Sequence, residues 1–409
     1  MRKLFGALVV MLTLAACTPE RSASGPPLVL TGLPEPEQRL ARALDAFEQL
    51  ALWHDTSGSA SGDVVPTGMI RRWNQGLRVR VAGNSSTNER ELTLRQLRAV
   101  AEIAGLSIAM LEGEGTDENF RIQFFPEYGA PPSIPSAGCL ARYWWSGTGA
   151  ITKVELYIRS GMRGFGRCVS HEMLHGFGFP AHPHELRSVM SYTYQGLDDL
   201  TELDRTALRT LYRGGVNPGF YHLPALLAAR DFLAREMALV PAGGDASALG
   251  KPVLDRAIVR LRAFAEGPGD RSGIVRGQLG NAYWFGQYVA QDRAEGMRWW
   301  ALAAERGHAD SRYRLGLAVR DADPARGIDL LLAAAGQGHN TAMLEAGRML
   351  RDGRGRAADP VEAHAWLGLA AARNAQGAAA ERDALAGRLT AEQLERARTR
   401  AGQLVPAQR

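Results

Sequence analysis

Between positions 274 and 377 the chain repeats itself, and a chain that repeats at a short period stacks units instead of folding around one private core. Leu279-Gly280 returns as Leu315-Gly316 and again as Ala346-Gly347. Asp292-Arg293-Ala294 returns as Asp323-Pro324-Ala325 and, slightly displaced, as Asp359-Pro360-Val361-Glu362-Ala363. Ala303-Ala304-Glu305-Arg306-Gly307-His308 returns as Ala334-Ala335-Gly336-Gln337-Gly338-His339. The offsets alternate between 31 and 36 residues, so about three units fill the stretch, near the minimum for a self-supporting stack. Small residues let paired helices approach closely, with Gly at the turns. Thr390-Ala391-Glu392-Gln393 then has the form of a capping box opening a terminal helix that closes the stack. His308 and His339 recur at equivalent turns and are read as structural.

The histidines of the first half are placed differently. Four of the nine in the chain fall between positions 171 and 184. They belong to His171-Glu172-Met173-Leu174-His175-Gly176-Phe177-Gly178-Phe179-Pro180-Ala181-His182 and the following His184. Met190 comes eight residues after His182, in Ser188-Val189-Met190-Ser191-Tyr192. On a helix, residues i and i+4 share a face, so His171 and His175 can both aim nitrogens at one ion. Glu172 stands beside the first ligand, where its carboxylate reaches water on the metal without ligating it. Zinc lowers the pKa of such a water towards ~7, and the carboxylate takes its proton as it attacks a carbonyl. A catalytic zinc keeps one position open, so three protein ligands are expected. Gly178 permits the sharp turn that brings His182 back as the third.

These residues resemble the metzincins, zinc peptidases with two helical His, a Gly turn, a third His and a Met-turn. The interval from His182 to Met190 is similar to the matrixin branch, and Ser188-Val189-Met190-Ser191-Tyr192 resembles the astacin and serralysin Met-turn. Leu200-Thr201-Glu202-Leu203-Asp204, leading to Leu211-Tyr212-Arg213-Gly214, is similar to the closing helix of matrixins. The run also resembles a bacterial envelope family of zincin type with a Cys shortly before the zinc helix. The resemblance covers roughly positions 71–219 and is specific from Cys168 to Gly214. It implies one catalytic Zn2+ on His171, His175 and His182, Glu172 as general base, Met190 in the Met-turn, and Tyr192 near the metal or the oxyanion. One departure stands out: the metzincin spacing falls on Ala181, and His182 comes one residue later. His184 is the competing third ligand, and Asp198 or Glu202 would serve in a glutamate-ligand zincin. The repeats resemble Sel1-like repeats, relatives of the tetratricopeptide repeat, which implies a protein partner on a concave face.

Export sets the compartment. Met1-Arg2-Lys3, an apolar run at 4–16 and Cys17 have the form of a secretory leader, too short to span a membrane. Leu14-Ala15-Ala16-Cys17 resembles the bacterial lipobox, whose Cys is lipidated, and Thr18 after it favours the outer membrane, facing the periplasm. Contact with the membrane is then by the lipid anchor alone. With Cys17 lipidated, Cys139 and Cys168 are the remaining cysteines, and in an oxidising compartment they are expected to pair. The competing reading keeps Cys168 as a ligand or nucleophile. The formal charge of +5 loses two units with Arg2 and Lys3, and no basic run stands out, so nucleic-acid binding has no support.

The expected layout is a leader at 1–17, a tether rich in Pro, Ser and Gly at 18–36, and an α+β zincin-like domain at 37–219. A helical linker at 220–273 with a hinge near 241–250, an all-α Sel1-like solenoid at 274–380 and a capping helix at 381–409 follow. Within the α+β domain, 37–53 and 89–104 read as helices. A Gly/Ser loop covers 57–62, and 77–81, 120–125 and 153–158 alternate as strands. The last of these is the candidate edge for an extended substrate, and Trp144 and Trp145 are read as core ahead of groove. The expected function is a zinc metallopeptidase acting on a protein or peptide, with a cell-wall amidase sharing the same chemistry. The reading of another class is an envelope interaction scaffold with an inactive zincin-like domain.

Overall fold

Alternating apolar residues build a sheet at the centre of the first half. The computed structural model of the chain describes residues 27–55, 64–66, 69–126, 138–183, 185–191, 194, 196–267 and 272–404. The leader with Cys17, the Gly/Ser loop, His184 and Tyr192 lie outside the described residues. The elements run α1 (Glu35–Phe47), a π-helical turn (Glu48–Leu52), β1 (Trp53–Asp55), β2 (Val64–Pro66), β3 (Leu77–Ala82), α2 (Thr87–Ala104), β4 (Ile108–Met110) and β5 (Phe120–Phe125). They continue through β6 (Cys139–Trp145), β7 (Ile151–Arg159), α3 (Phe165–Gly176), α4 (Glu202–Arg213), α5 (His222–Glu236) and α6 (Lys251–Glu266). Strands β4, β3, β5, β7 and β6 lie side by side in that order, the first four parallel and β6 antiparallel to β7. Val79, Phe120 and Val154 stand in register across the middle of the sheet and are fully buried.

Two expectations change here. The strand read as an edge, β7, is internal, and β6 takes the edge beside it. Cys139-Leu140-Ala141-Arg142-Tyr143-Trp144-Trp145 escapes detection because its first three residues are all buried and the rest half-buried, so it never alternates. Trp53 does not end the first helix. It opens β1 after the π-helical turn, where its indole N–H donates to the buried Glu48 carboxylate at 2.9 Å. Glu48 also meets His222 at 3.2 Å and Arg260 at 3.3 Å. Burial alone would raise its carboxyl, but His222, Arg260 and Trp53 hold it below the usual range.

Two compact units divide the chain, one ending at Arg260 and the other beginning at Leu261. The stretch read as a hinge packs within the first unit, where Ala246 is buried in the same core as Leu44 and Leu249 leans on it. Among the described residues no helix is long and apolar enough to cross a membrane.

The second unit is a run of paired helices: α7 (Ser272–Phe285), α8 (Arg293–Glu305), α9 (Ala309–Val319), α10 (Pro324–Gly336), α11 (Asn340–Arg351), α12 (Pro360–Ala372), α13 (Ala378–Ala386) and α14 (Ala391–Leu404). The recurring residues are its hinges and caps. Asp292, Asp323 and Asp359 are the N-caps of α8, α10 and α12, each side chain accepting from the first turn. Thr390 and Gln393 exchange the two bonds of a capping box at α14. The recurring Leu-Gly marks close helix approach, since a Cβ on Gly280 would strike the Trp300 ring.

His308 and His339 cap α9 and α11. Their Nδ1 atoms accept from the Ser311 and Ala342 N–H groups at 3.3 and 3.2 Å. The His339 ring stacks on Tyr313 with centroids 4.4 Å apart, and its Nε2 lies 3.6 Å from Asp310 of α9. A protonated Nδ1 cannot accept, so these caps require neutral imidazoles. Burial lowers the His308 pKa, with Arg314 and His339 assisting and Asp310 opposing. A histidine depressed in the fold contributes fully above its unfolded value of about 6.5, and that contribution is lost as pH falls below it. The second unit is therefore expected to melt earlier at pH 5 than at pH 7, a lost cap costing about 1 kcal/mol. Calorimetry of the full chain checks this. His308→Asn keeps a cap acceptor that does not titrate and should flatten the profile, whereas an unaltered profile would assign the loss to other groups.

Candidate metal centre

Helix α3 brings the first two ligands together, and its end brings the third. His171 and His175 lie one turn apart on it and are both buried. The helix stops in a Schellman turn, with Gly178 N–H donating to the His175 carbonyl at 3.0 Å and Phe179 N–H to the Leu174 carbonyl at 3.1 Å. Gly178 has φ 101°, and a Cβ there would run into the Arg71 carbonyl. No other residue meets both demands. The chain then doubles back through Pro180 and the buried Ala181, and His182 comes to lie against the other two rings.

The three imidazoles converge by their Nε2 atoms. His182 Nε2 is 3.1 Å from His171 Nε2 and 3.0 Å from His175 Nε2. The opposite ring nitrogens are fastened to main-chain carbonyls: His171 Nδ1 to Val189 at 2.9 Å and His175 Nδ1 to Phe179 at 2.7 Å. A carbonyl cannot donate, so those Nδ1 atoms carry the protons, and the lone pairs of both Nε2 atoms face inward. Burial pushes His171 down to about 4, the Val189 bond opposing it, and pushes His175 well below its ordinary value, with charge on His182 and His171 adding to the effect. A cation between the three Nε2 atoms would take the lone pairs that His171 and His175 turn inward. Four ligands about 2.0–2.1 Å from a tetrahedral zinc are about 3.3 Å apart, close to the separations seen here. The donor set therefore fits zinc.

Glu172, next to His171 on α3, is also buried, 3% exposed. Its Oε2 accepts the Ala141 N–H of β6 at 2.7 Å. Burial pushes its carboxyl up to about 7, the Ala141 bond opposing the rise. Glu202 is instead exposed and pairs with Arg209 at 2.9 Å. Asp198 packs its Cβ against Gly166. Among the described residues the metal-holding group is His171, His175 and His182.

Met190 is fully buried, and the turn that carries it is held from α4. Asp204 accepts from Ser188 Oγ, from Val189 N–H at 3.2 Å and from Thr201 N–H at 2.9 Å, so one carboxylate caps α4 and braces the turn. Val189 in turn orients His171. Cys139 and Cys168 form a disulfide between the start of β6 and α3. Trp144 and Trp145 are half-buried on β6, under Lys153 and Arg71 at 5.2 and 3.9 Å. Sequence reasoning missed Asp204, the Val189 and Phe179 carbonyls, the Ala141 N–H and His54 on β1, whose charge also depresses His175. Thr201-x-x-Asp204 was legible as a capping box. The others leave no residue-level signal.

Residues 41–222 match a family of proteins of unknown function, DUF2927. Residues 278–308, 309–339 and 341–374 each match the Sel1 repeat. The C-terminal half is built of Sel1 repeats. No curated protein matches the chain by sequence. The crystal structure of a Sel1 repeat protein from Oxalobacter formigenes is 27% identical over 31% of this chain and 98% of that one, with a TM-score of 0.29. A protective antigen present in uropathogenic Escherichia coli strains, displaying an SLR fold, is 20% identical with a TM-score of 0.35, over 48% of this chain and 43% of that one. The Sel1 repeats suggest a protein-interaction role for this stretch.

The Asp204 arrangement yields a direct test. Asp204→Ala leaves Ser188 Oγ and Val189 N–H without an acceptor and opens the α4 capping box. The expected loss is about 3–7 kcal/mol, from one cap worth about 1 and two buried unpaired donors at about 1–3 each. Urea unfolding of the full chain measures it, and a loss below about 0.5 kcal/mol, the range of ordinary surface substitutions, would show that the turn does not depend on this carboxylate.

Proposed function

We propose that the first unit is a zinc-dependent hydrolase of metzincin type, most simply a peptidase, and that the Sel1 repeats hold its protein substrate or partner. The observation that carries this reading is the convergence of three buried imidazoles, two of them on the helix that also carries the buried Glu172 carboxylate. The strand order with an antiparallel edge at β6, the glycine turn after α3, the buried Met190 and the closing helix α4 support a zincin-like architecture for a region whose matching family has no assigned function.

A bound zinc supplies Lewis acidity and lowers the pKa of water to about 7. His171, His175 and His182 would hold the ion, the tautomers of the first two set by the Val189 and Phe179 carbonyls. Glu172 accepts the proton of the attacking water at its carboxylate and later returns it to the leaving amine. Its burial favours the protonated form enough for it to act in both directions near neutrality. Ala141 holds that carboxylate by its N–H. Among the described residues β6 is the edge of the sheet, where an extended peptide would add as a further strand. Export and anchoring through Cys17 complete the proposal, and a disulfide in the folded chain supports an oxidising compartment.

Elemental analysis of the purified full chain tests the reading. One zinc per chain is expected, lost in His175→Ala and His182→Ala and retained in Glu172→Ala. Glu172→Ala should also lower peptide cleavage by about 10²–10⁴-fold. A folded wild-type chain that stays metal-free after zinc is supplied would falsify it.

A further inference from the structure

We propose that the Cys139–Cys168 bridge positions Glu172 through the edge strand, so that the base is set only in the oxidised chain. This rests on the hydrolase reading above.

Two parallel links join α3 to β6. Cys168 and Glu172 are four residues apart on α3, so they share one stripe of the helix. Cys139 and Ala141 are two apart on β6, so their backbone groups point the same way. The bridge joins the first member of each pair, and the Ala141 N–H to Glu172 Oε2 bond, at 2.7 Å, joins the second. Gly138, just before the strand, packs closely on Met162 and within 3.7 Å of Cys168 Sγ when a Cβ is placed on it, so the strand enters tightly against the bridge.

The strand needs such a fastening. Among the described residues β6 is an edge, with β7 its one hydrogen-bonded neighbour strand. Its register on β7 already slips between Trp144 and Trp145. Against α3, the covalent bond at its first residue limits how far the Ala141 N–H can move from the carboxylate.

The metal ligands are held elsewhere. His171 and His175 are oriented by the Val189 and Phe179 carbonyls, both from the chain after α3. Neither contact involves β6. Opening the bridge therefore separates the two halves of the site: the imidazoles stay in place, and the base loses its positioning donor. Reduction by a dithiol breaks the S–S bond and delivers two electrons and two protons to Cys139 and Cys168, and the dithiol closes to its own disulfide. A chain kept reduced before export would hold its ligands but not its base.

The test uses the full chain, as wild type, as Cys139→Ala/Cys168→Ala, as wild type reduced with dithiothreitol, and as Glu172→Ala. Hydrogen exchange at the Ala141 amide, measured without metal, reads the positioning directly. It should quicken at least tenfold on opening the bridge and to the same degree in Glu172→Ala. Zinc content should remain at one per chain in all four. On a cleavable peptide, kcat should fall at least tenfold with KM within twofold. Unchanged Ala141 exchange overturns the proposal. So does zinc lost together with the bridge, or unfolding of both the double variant and the reduced wild type, since each assigns the bridge to stability alone. If the wild type cleaves no peptide yet Ala141 exchange follows the bridge, the positioning stands and the hydrolase reading falls.

Discussion

The Nε2 atoms of His171 and His175 are each held about 3 Å from that of His182 in a buried pocket, and the first unit is organised around that convergence. Burial disfavours protonation of His171 and His175, which would place positive charge where water cannot reach it. The fold pins them regardless, using the Val189 and Phe179 carbonyls to dictate which nitrogen carries the proton. Each carbonyl is itself held: Phe179 by the glycine turn that ends α3, Val189 by the Asp204 carboxylate of α4. The pocket is thus over-determined from two directions before any ion arrives, which is what preorganisation for a metal requires.

The same economy of parts appears in the second unit, where the repeated residues are those that end and start helices. Asp at one boundary and His at the other supply acceptors to first-turn N–H groups that would otherwise be orphaned. Because His339, the cap of α11, also stacks on Tyr313 and approaches Asp310 of α9, capping and contact between helices are the same event. Such a stack gains stability repeat by repeat, leaving its surface free to follow a partner.

Much of this was legible along the chain. Strands β3, β5 and β7 and helices α2 and α3 follow from periodicity, and the capping box at Thr390 and the repeat boundaries follow from residue type. β6 was not legible, because three consecutive buried residues and a Trp pair hide its period. The edge position followed from it, since β7 is internal only because β6 lies beyond it. The hinge at 241–250 was misread because Pro and Gly mark turns whether or not the turn is packed, and Ala246 shows that this one is.

What the chain determined by itself is the set of donors and the units that carry them. His171 and His175 share a helical face by spacing alone, Gly178 ends that helix, and a repeat of 31 and 36 residues imposes stacked helix pairs. What only the tertiary structure decided is which groups meet: His182 in the trio although it falls one residue past the familiar spacing, the Ala141 N–H against Glu172, and one Asp204 carboxylate shared between a helix cap and the turn bearing Met190. Spacing along a helix is local geometry and can be counted. A loop's closure, a strand's neighbour and a main-chain amide's partner depend on residues 31 or 15 positions away, and nothing in a side chain's identity announces them.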